Sequence, residues 1–439
     1  MYGRFYGLLD SPQCALPELA GGYSGKNYIG SRGNNGAPVP WLARSGITLR
    51  RLFNALRWIC QICDTGGING MYSVYIIGFH GSLIYGKTDH IRSLKPFVVV
   101  MFKLAVIVGA TGVQGGSVVA RFLKDPSFKI RGTTSNTASD ASNALASQGV
   151  EMVYMDPNDE ASIAEVFTGA HVVYAVTNFF KDFETLSAVA AMEVEYTQGV
   201  KLAKAAANTP TLEHYIWSTL PYSAELSQGR WLVPHYDGKA RVDNFIKADK
   251  ELLAKTTFLL CTYYPSNFAF PFMSPVFMKS AQRHIQILPV GPESTPVYST
   301  GDTRVNVGIW VYAIITNGTL PPRPATGGLY VLGSHNKYKD WNEMFLACGR
   351  VSGKSFSSHP LEFLTISFRQ FENLWGKLGT EMAIWFEFLH DLKDKAWTVS
   401  GQNDVLITAE ELLSGSPSDE EAALVSDEQV WRQMNSRDV

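Results

Sequence analysis

One stretch has residue types and spacing suited to a phosphate-bearing ligand: Gly109-Ala110-Thr111-Gly112-Val113-Gln114-Gly115-Gly116. Gly109 permits a tight turn, Gly112 lets the backbone approach a pyrophosphate, and Gly115 lets the next helix pack closely on the strand. A helix beginning there supplies amide donors and a partial positive charge to the phosphates. The spacing is GxxGxxG rather than GxGxxG. Its setting supports the reading, because Leu104-Ala-Val-Ile-Val108 in front is a short apolar run of the kind that forms a strand buried on both faces. Behind it Val118, Val119, Phe122 and Leu123 recur at helical spacing. Cys60-Gln-Ile-Cys63 lacks a βαβ context and a second ligand pair, so it reads as two incidental thiols. No Ser/His/Asp hydrolase signature and no metal-spaced His/Glu cluster is visible, and no metal is expected.

The elements that must position this turn follow in alternation. Strands are expected at 128–133, 150–154, 170–176, 214–217 and 257–261, with helices at 137–148, 160–168 and 186–207 between the earlier ones. Such alternation predicts an α/β fold, a doubly wound parallel sheet of Rossmann type. Residues 265–300, rich in Pro and aromatics, read as loops over a cleft. Beyond them come a strand at 328–332, an amphipathic helix over Trp341–Val351, a strand beginning at Gly353–Phe356 and an aromatic helical stretch over 361–395. After Ser400 the chain turns polar and acidic, a solvated link before a short terminal helix.

Composition sets the outer bounds. The 439 residues are 46% apolar and 18% charged, which excludes a disordered, highly charged chain. A net charge of −2 argues against a nucleic-acid footprint. Five cysteines make no disulfide framework and suit a reducing compartment, here cytoplasmic or nuclear. The average hides an asymmetry: residues 1–100 hold ten Lys or Arg against four Asp or Glu, a balance of +6, leaving −8 for the remainder. That first hundred is glycine-rich with little apolar periodicity beyond a short helical pattern at 46–63, and its β-rich stretch at Met71–Gly86 is too short to cross a membrane. It reads as a poorly structured extension, with Met101 as a natural start. The expected organisation is therefore an extension (1–100), a dinucleotide-binding Rossmann core (101–264), a smaller α+β substrate or partner lobe (265–400) and an acidic tail (401–439).

The glycine turn, then Val176-Thr177-Asn178-Phe179, His214-Tyr-Ile-Trp-Ser218 and His235-Tyr-Asp-Gly-Lys239, in this order, resemble the NmrA-like family of atypical short-chain dehydrogenases/reductases. The resemblance runs from about Met101 to about residue 400. It implies a nicotinamide dinucleotide held by the turn residues Gly109 to Gly115. It also implies Asp156 near the adenine, Thr177, Asn178 and Phe179 along the cofactor's middle, and Lys239 at the ribose or nicotinamide. Pro265, Asn267 and Phe268 match an element whose backbone closes over the nicotinamide. On its residues alone, Asp156 reads equally well as part of a helix cap before 160–168.

Cofactor choice turns on the residues after the second strand, where an acid binds a ribose 2′-OH and a base a 2′-phosphate. Thr133-Thr-Ser135-Asn136 offers neither, which permits NADP(H) and leaves NAD(H) as the alternative. Family members that prefer NADP often carry Arg at the place of Ser135, so the clamp is weakened; Arg131 is near but inside the strand. Reductases of the superfamily use a Tyr with a Lys four residues on, a spacing that one helical turn brings onto a common face. Here His235 holds the first place. Three readings stand: His235 as the acid, Tyr236 with Lys239 as an improvised dyad, or Lys239 serving the cofactor alone, which is preferred. Ser218 occupies the place of a substrate-orienting hydroxyl. The expectation is a redox-sensing regulator that binds NADP(H) and engages a partner protein, without direct nucleic-acid or membrane binding; the alternative is an NADPH-dependent reductase of a small carbonyl or enone.

Overall fold

Short apolar runs alternating with helical stripes place their strands side by side when each crossover packs a helix on the sheet. A computed structural model describes residues 75–78, 97–100, 102–316, 320–352, 356, 358–414 and 418–434. Contacts divide the chain into Met1–Met101 and Phe102–Val439. In the first unit Tyr75–Gly78 pairs antiparallel with Phe97–Val100. The helix expected at 46–63 and the Cys60/Cys63 pair lie outside the described residues.

In the second unit eight strands form one parallel sheet. They are β1 (Lys103–Ile107), β2 (Phe128–Thr134), β3 (Glu151–Tyr154), β4 (Val172–Ala175), β5 (His214–Thr219), β6 (Thr256–Cys261), β10 (Leu329–Gly333) and β13 (Val405–Thr408), and their order across the sheet is β3-β2-β1-β4-β5-β6-β10-β13. The chain runs outward from β1 to β3, then crosses back to lay β4 on the other side of β1. That reversal opens a crevice at the carboxyl ends of β1 and β4. The fold is thus the doubly wound, Rossmann-type α/β sheet expected.

Both faces are covered. Ala105 and Ile107 face a core built with helices α1 (Val113–Phe122) and α7 (Thr303–Thr316), where the Gly308 N–H donates to Ser117 Oγ at 2.8 Å. Val106 and Val108 face the other core, with α3 (Glu160–Phe167), α5 (Ala188–Ala207) and α6 (Pro234–Ala248). Between β2 and β3 lies α2 (Asp140–Ser147), and after β4 comes the one-turn α4 (Phe179–Phe183).

The lobe beyond residue 264 contains more strand than its prolines suggest. Residues 265–300, expected as loops, include β7 (Val276–Met278), β8 (Arg283–Leu288) and β9 (Val297–Ser299). β8 pairs with β7 and with β12 (Leu361–Thr365), and β9 pairs with β11 (Asn336–Tyr338). The helix α8 falls at Trp341–Val351 as expected. The stretch 361–395 is not helical throughout: it opens as β12. Helix α9 (Phe368–Leu392) starts only after a Ser367/Gln370 capping box and is broken at Gly376. Phe356 lies in a turn, and the rest of the strand start expected at 353–356 is outside the described residues.

The segment after 400 is also more than an acidic tail. Val405-Leu-Ile-Thr408 is a β-rich run that forms the outermost sheet strand, and α10 (Ala409–Leu413) buries Leu412 and Leu413. Helix α11 (Asp427–Gln433) buries Trp431, whose indole N–H donates to the Pro265 carbonyl at 3.1 Å. The charge average of that segment masked these short apolar runs. No helix among the described residues is long and apolar enough to cross a membrane.

Candidate functional site

Gly109 leaves β1 with φ of 67°, a conformation that favours glycine, and its N–H donates to Thr133 Oγ1 on β2 at 3.1 Å. Gly112 N–H then donates to the Gly109 carbonyl at 2.9 Å, closing the turn. A Cβ on Gly115 would lie 2.2 Å from the Gly109 carbonyl oxygen, so only glycine lets α1 start this close to the strand. Gly112 is the N-cap of α1 and no side chain caps the helix there; Gly112 and Val113 are exposed, while Ala110 and Gly115 are buried beneath them. An exposed helix start with no side-chain cap, on a turn too tight for a Cβ, fits a pyrophosphate.

The other expected residues gather at the carboxyl edge of the same sheet, but their side chains divide into two kinds. Some stay open. Ser135, just past β2, and Asn178, the N-cap of α4, are exposed, and neither makes a side-chain hydrogen bond among the described residues. Thr111 Oγ1 and Thr134 Oγ1 lie 3.5 Å apart beside Ser135. Asp156 accepts from the Asn158 N–H at 2.9 Å, and the cap of α3 itself is Asp159. Arg131 is directed away, paired with Glu151 at 3.1 Å and donating to the Val166 carbonyl at 2.9 Å.

Others are committed within the protein. The Gln114 amide oxygen accepts from the Tyr174 hydroxyl and from Ser218 Oγ at 2.8 Å, and its nitrogen donates to the Tyr264 hydroxyl at 2.5 Å. Ser218 is therefore a buried member of this hub and donates its proton within it. Burial pushes the adjacent Cys261 thiol up to about 12. Phe179 stacks on Phe183 with ring centroids 5.2 Å apart and is buried, and Phe268 packs edge-on against Phe345 and Trp431. The Pro265 carbonyl is taken by Trp431, while Asn267 stays half-buried with no side-chain bond among the described residues.

Helix α6 carries His235 and Lys239 one turn apart, and each meets a buried carboxylate that the sequence reading missed. Lys239 Nζ donates to the Thr177 carbonyl at 2.8 Å, to Thr177 Oγ1 at 2.9 Å and to Glu195 Oε1 of α5, which satisfies all three of its protons. Glu195 is fully buried. His235 Nδ1 lies 2.6 Å from Glu381 Oε1 of α9, and the His235 backbone N–H donates to the same oxygen at 3.1 Å. The signal for both carboxylates was a charge inside an apolar helical stripe, Glu195 three residues after Met192 and Glu381 directly before Met382. Tyr236 is buried and accepts from Trp385 Nε1 at 2.8 Å, and burial pushes its hydroxyl far up, so a Tyr236–Lys239 dyad is not formed. One turn beyond Lys239, Asp243 accepts from Thr219 Oγ1 at 2.8 Å and Tyr330 at 3.2 Å, and burial pushes its carboxyl up to about 8. It borders a cavity with Lys247 and Ser400.

Several known proteins are similar to this chain in sequence or in fold. An NmrA-like family domain-containing protein of Dictyostelium discoideum is 32% identical over 173 residues, 38% of this chain and 53% of the relative. An NmrA-like family domain-containing oxidoreductase, hkm9 of Aspergillus hancockii, is 30% identical over 175 residues, 40% of this chain and 50% of the relative. The chain thus spans about half the length of these curated relatives. Among solved structures, NmrA, a negative transcriptional regulator, in complex with NAD superposes with a TM-score of 0.55 at 17% identity, covering 76% of this chain and 95% of that one. Triphenylmethane reductase of Citrobacter sp. complexed with NADP(H) gives 0.51 at 17% identity, covering 73% and 98%. At these identities the likeness is one of fold. The NmrA-like family model matches residues 101–400, and the chain belongs to the NmrA-like family.

Proposed function

We propose that this protein binds a nicotinamide dinucleotide, NADP(H) ahead of NAD(H), and reports the cofactor's redox state to a partner protein. The observation that carries binding is the Gly109–Gly115 turn, with the start of α1 left without a side-chain cap at the topological switch. The pyrophosphate would lie on the α1 amides and the adenosine half toward Ser135 and Asp156. The nicotinamide half would pass Thr177, Asn178 and the 265–268 segment, with Lys239 shaping that edge through Thr177. NADP(H) is favoured because the residues after β2 offer hydroxyls and no carboxylate to repel a 2′-phosphate. A cytoplasmic or nuclear location suits such a reporter.

The regulatory reading is supported by the polar groups of α6, since Lys239 has no proton left over and Tyr236 is sealed against Trp385. Titrating the full chain with NADPH and NADH, then following absorbance with a carbonyl and quinone panel, tests it. Tight NADPH binding without turnover is expected. Ser135→Asp should reverse the preference by at least about tenfold, a change of about 1.4 kcal/mol; an unchanged ratio would place the adenosine elsewhere. The second reading, an NADPH-dependent reductase of a small carbonyl or enone, is favoured by the His235–Glu381 contact and by the relative named as an oxidoreductase.

A further inference from the structure

Exposed apolar side chains gather on one small sheet of the C-terminal lobe, where β8 pairs with β7 on one side and with β12 on the other. The register sets Val276, Ile285 and Glu362 in one row, Met278 beside Arg283, and Leu364 beside Ile287. Residues two apart on a strand share a face, so all of these point the same way. The ion pair between Arg283 and Glu362, at 2.7 Å, joins two strands on that face. Val276, Met278 and Leu364 are 65, 47 and 50% exposed, and Ile285 between them is half-buried. A contiguous apolar row left in water marks an interaction site more often than a single exposed residue does. The opposite face is the inner one. Phe363 packs edge-on against Phe345, and buried Gln286 donates to the Phe272 carbonyl at 2.8 Å, just beyond the Pro265–Phe268 segment.

The dimensions select an occupant. Three strands about 4.8 Å apart and about 17 Å long make a face on the order of 250 Å², against about 800 Å² per partner in a stable dimer. This face alone therefore does not hold a second copy. An added strand has little to grip, since β7 is three residues long and Pro275 before it lacks an N–H. A single helix, about 10–12 Å across, covers three strands, and about 11 residues of it match their length. Charge adds a preference. Lys279, exposed at the hairpin end, makes no side-chain bond among the described residues, and Arg283 meets one carboxylate, Glu362, so that rim is net positive. We propose that this face docks the partner protein through a short amphipathic helix. Its apolar stripe covers Val276, Met278, Ile285 and Leu364, and its acidic side chains meet Lys279 and Arg283. The proposal rests on the reporter reading above and names its output surface, because Gln286 ties the sheet to the chain just beyond the segment assigned to the nicotinamide half.

Fluorescence anisotropy on the full chain tests this with two labelled, end-capped peptides of about 14 residues, with Leu along one helical stripe and either Glu or Lys on the other faces. The Glu peptide should bind with a Kd on the order of 10 μM, and the Lys peptide at least about tenfold more weakly. Val276→Asp and Leu364→Asp change exposed positions on different strands. Each should weaken the Glu peptide at least about tenfold while leaving the NADPH Kd within about threefold of the parent. Lys279→Glu should narrow the gap between the two peptides. The Kd of the Glu peptide should also differ by about threefold or more between protein loaded with NADP+ and with NADPH. No binding at about 1 mM, or binding that both Asp variants keep, overturns the surface. Equal Kd values for the two peptides overturn the acidic partner, and equal values in the two redox states overturn the link to the cofactor. A parent dimer in sedimentation that Val276→Asp dissolves overturns the proposal in favour of a second copy. Turnover of the carbonyl panel, read by absorbance in the same samples, would sink the reporter reading instead, so the two failures are told apart.

Discussion

The two ends of the crevice meet water in opposite ways. At the β1 turn the backbone faces outward, side chains are small, and the helix start has no side-chain cap. Along α6 almost every polar side chain is paired inside the protein: His235 with Glu381, Lys239 with Glu195, Asp243 with Thr219 and Tyr330. The first region is built to receive charge, the second to hold its own. On the reading proposed above, affinity for a dinucleotide would rest on the turn and selectivity on the residues after β2, and whatever the molecule does with the bound cofactor would depend on how firmly the second region keeps its pairs.

That contrast is sharpest at Glu195. Glu195→Ala leaves the Lys239 charge buried without its carboxylate and should cost about 3–5 kcal/mol, seen as an earlier urea midpoint. Glu195→Gln should lose less, and equal losses in the two variants would show that packing, not charge, sets the effect. Next in size is Gly115→Ala, whose methyl meets the Gly109 carbonyl; overpacking of this kind costs about 1–3 kcal/mol. The same variant should bind NADPH at least about tenfold more weakly by fluorescence titration, about 1.4 kcal/mol, and wild-type affinity would break the contrast.

A separate effect, read through pH, is at Asp243. The folded protein keeps its proton up to about pH 8, whereas the unfolded chain releases it near 3.8. The folded state thus binds more protons between those values, so this group's contribution is full on the acid side and is lost as pH rises through the window. Between pH 5 and 8 the melting temperature of Asp243→Asn should fall less than that of the parent. Parallel curves would mean that Asp243 is ionised in the fold.

The same division explains what the sequence could and could not tell. Most of the sheet was readable because most of its strands carry short apolar runs and most helices a stripe, and the turn was readable because its glycines recur at a spacing of three within one short run. Glu195 and Glu381 lie 44 and 146 residues from Lys239 and His235, the side chains they meet, and no local pattern links them. Ser218 and Gln114 carry the right chemistry at the right strand ends, but only packing shows that they point at each other. The last segment was misjudged for a related reason. Its acidic residues outnumber a four-residue strand whose only signal is β-branched and apolar, and the strand is stable because β10 waits beside it.

That outermost strand has a consequence for how the molecule is made. The free margin of β6 stays bare until residues 329–333 have been synthesised, and that of β10 until Val405–Thr408 follow. Throughout elongation, then, the half of the protein that holds the cofactor turn presents an unpaired row of amides and carbonyls to its surroundings, the arrangement from which strands add to strangers. A chain stopped short of Val405 would keep the turn intact on an open, adhesive margin, and its fate would be aggregation rather than a smaller working protein.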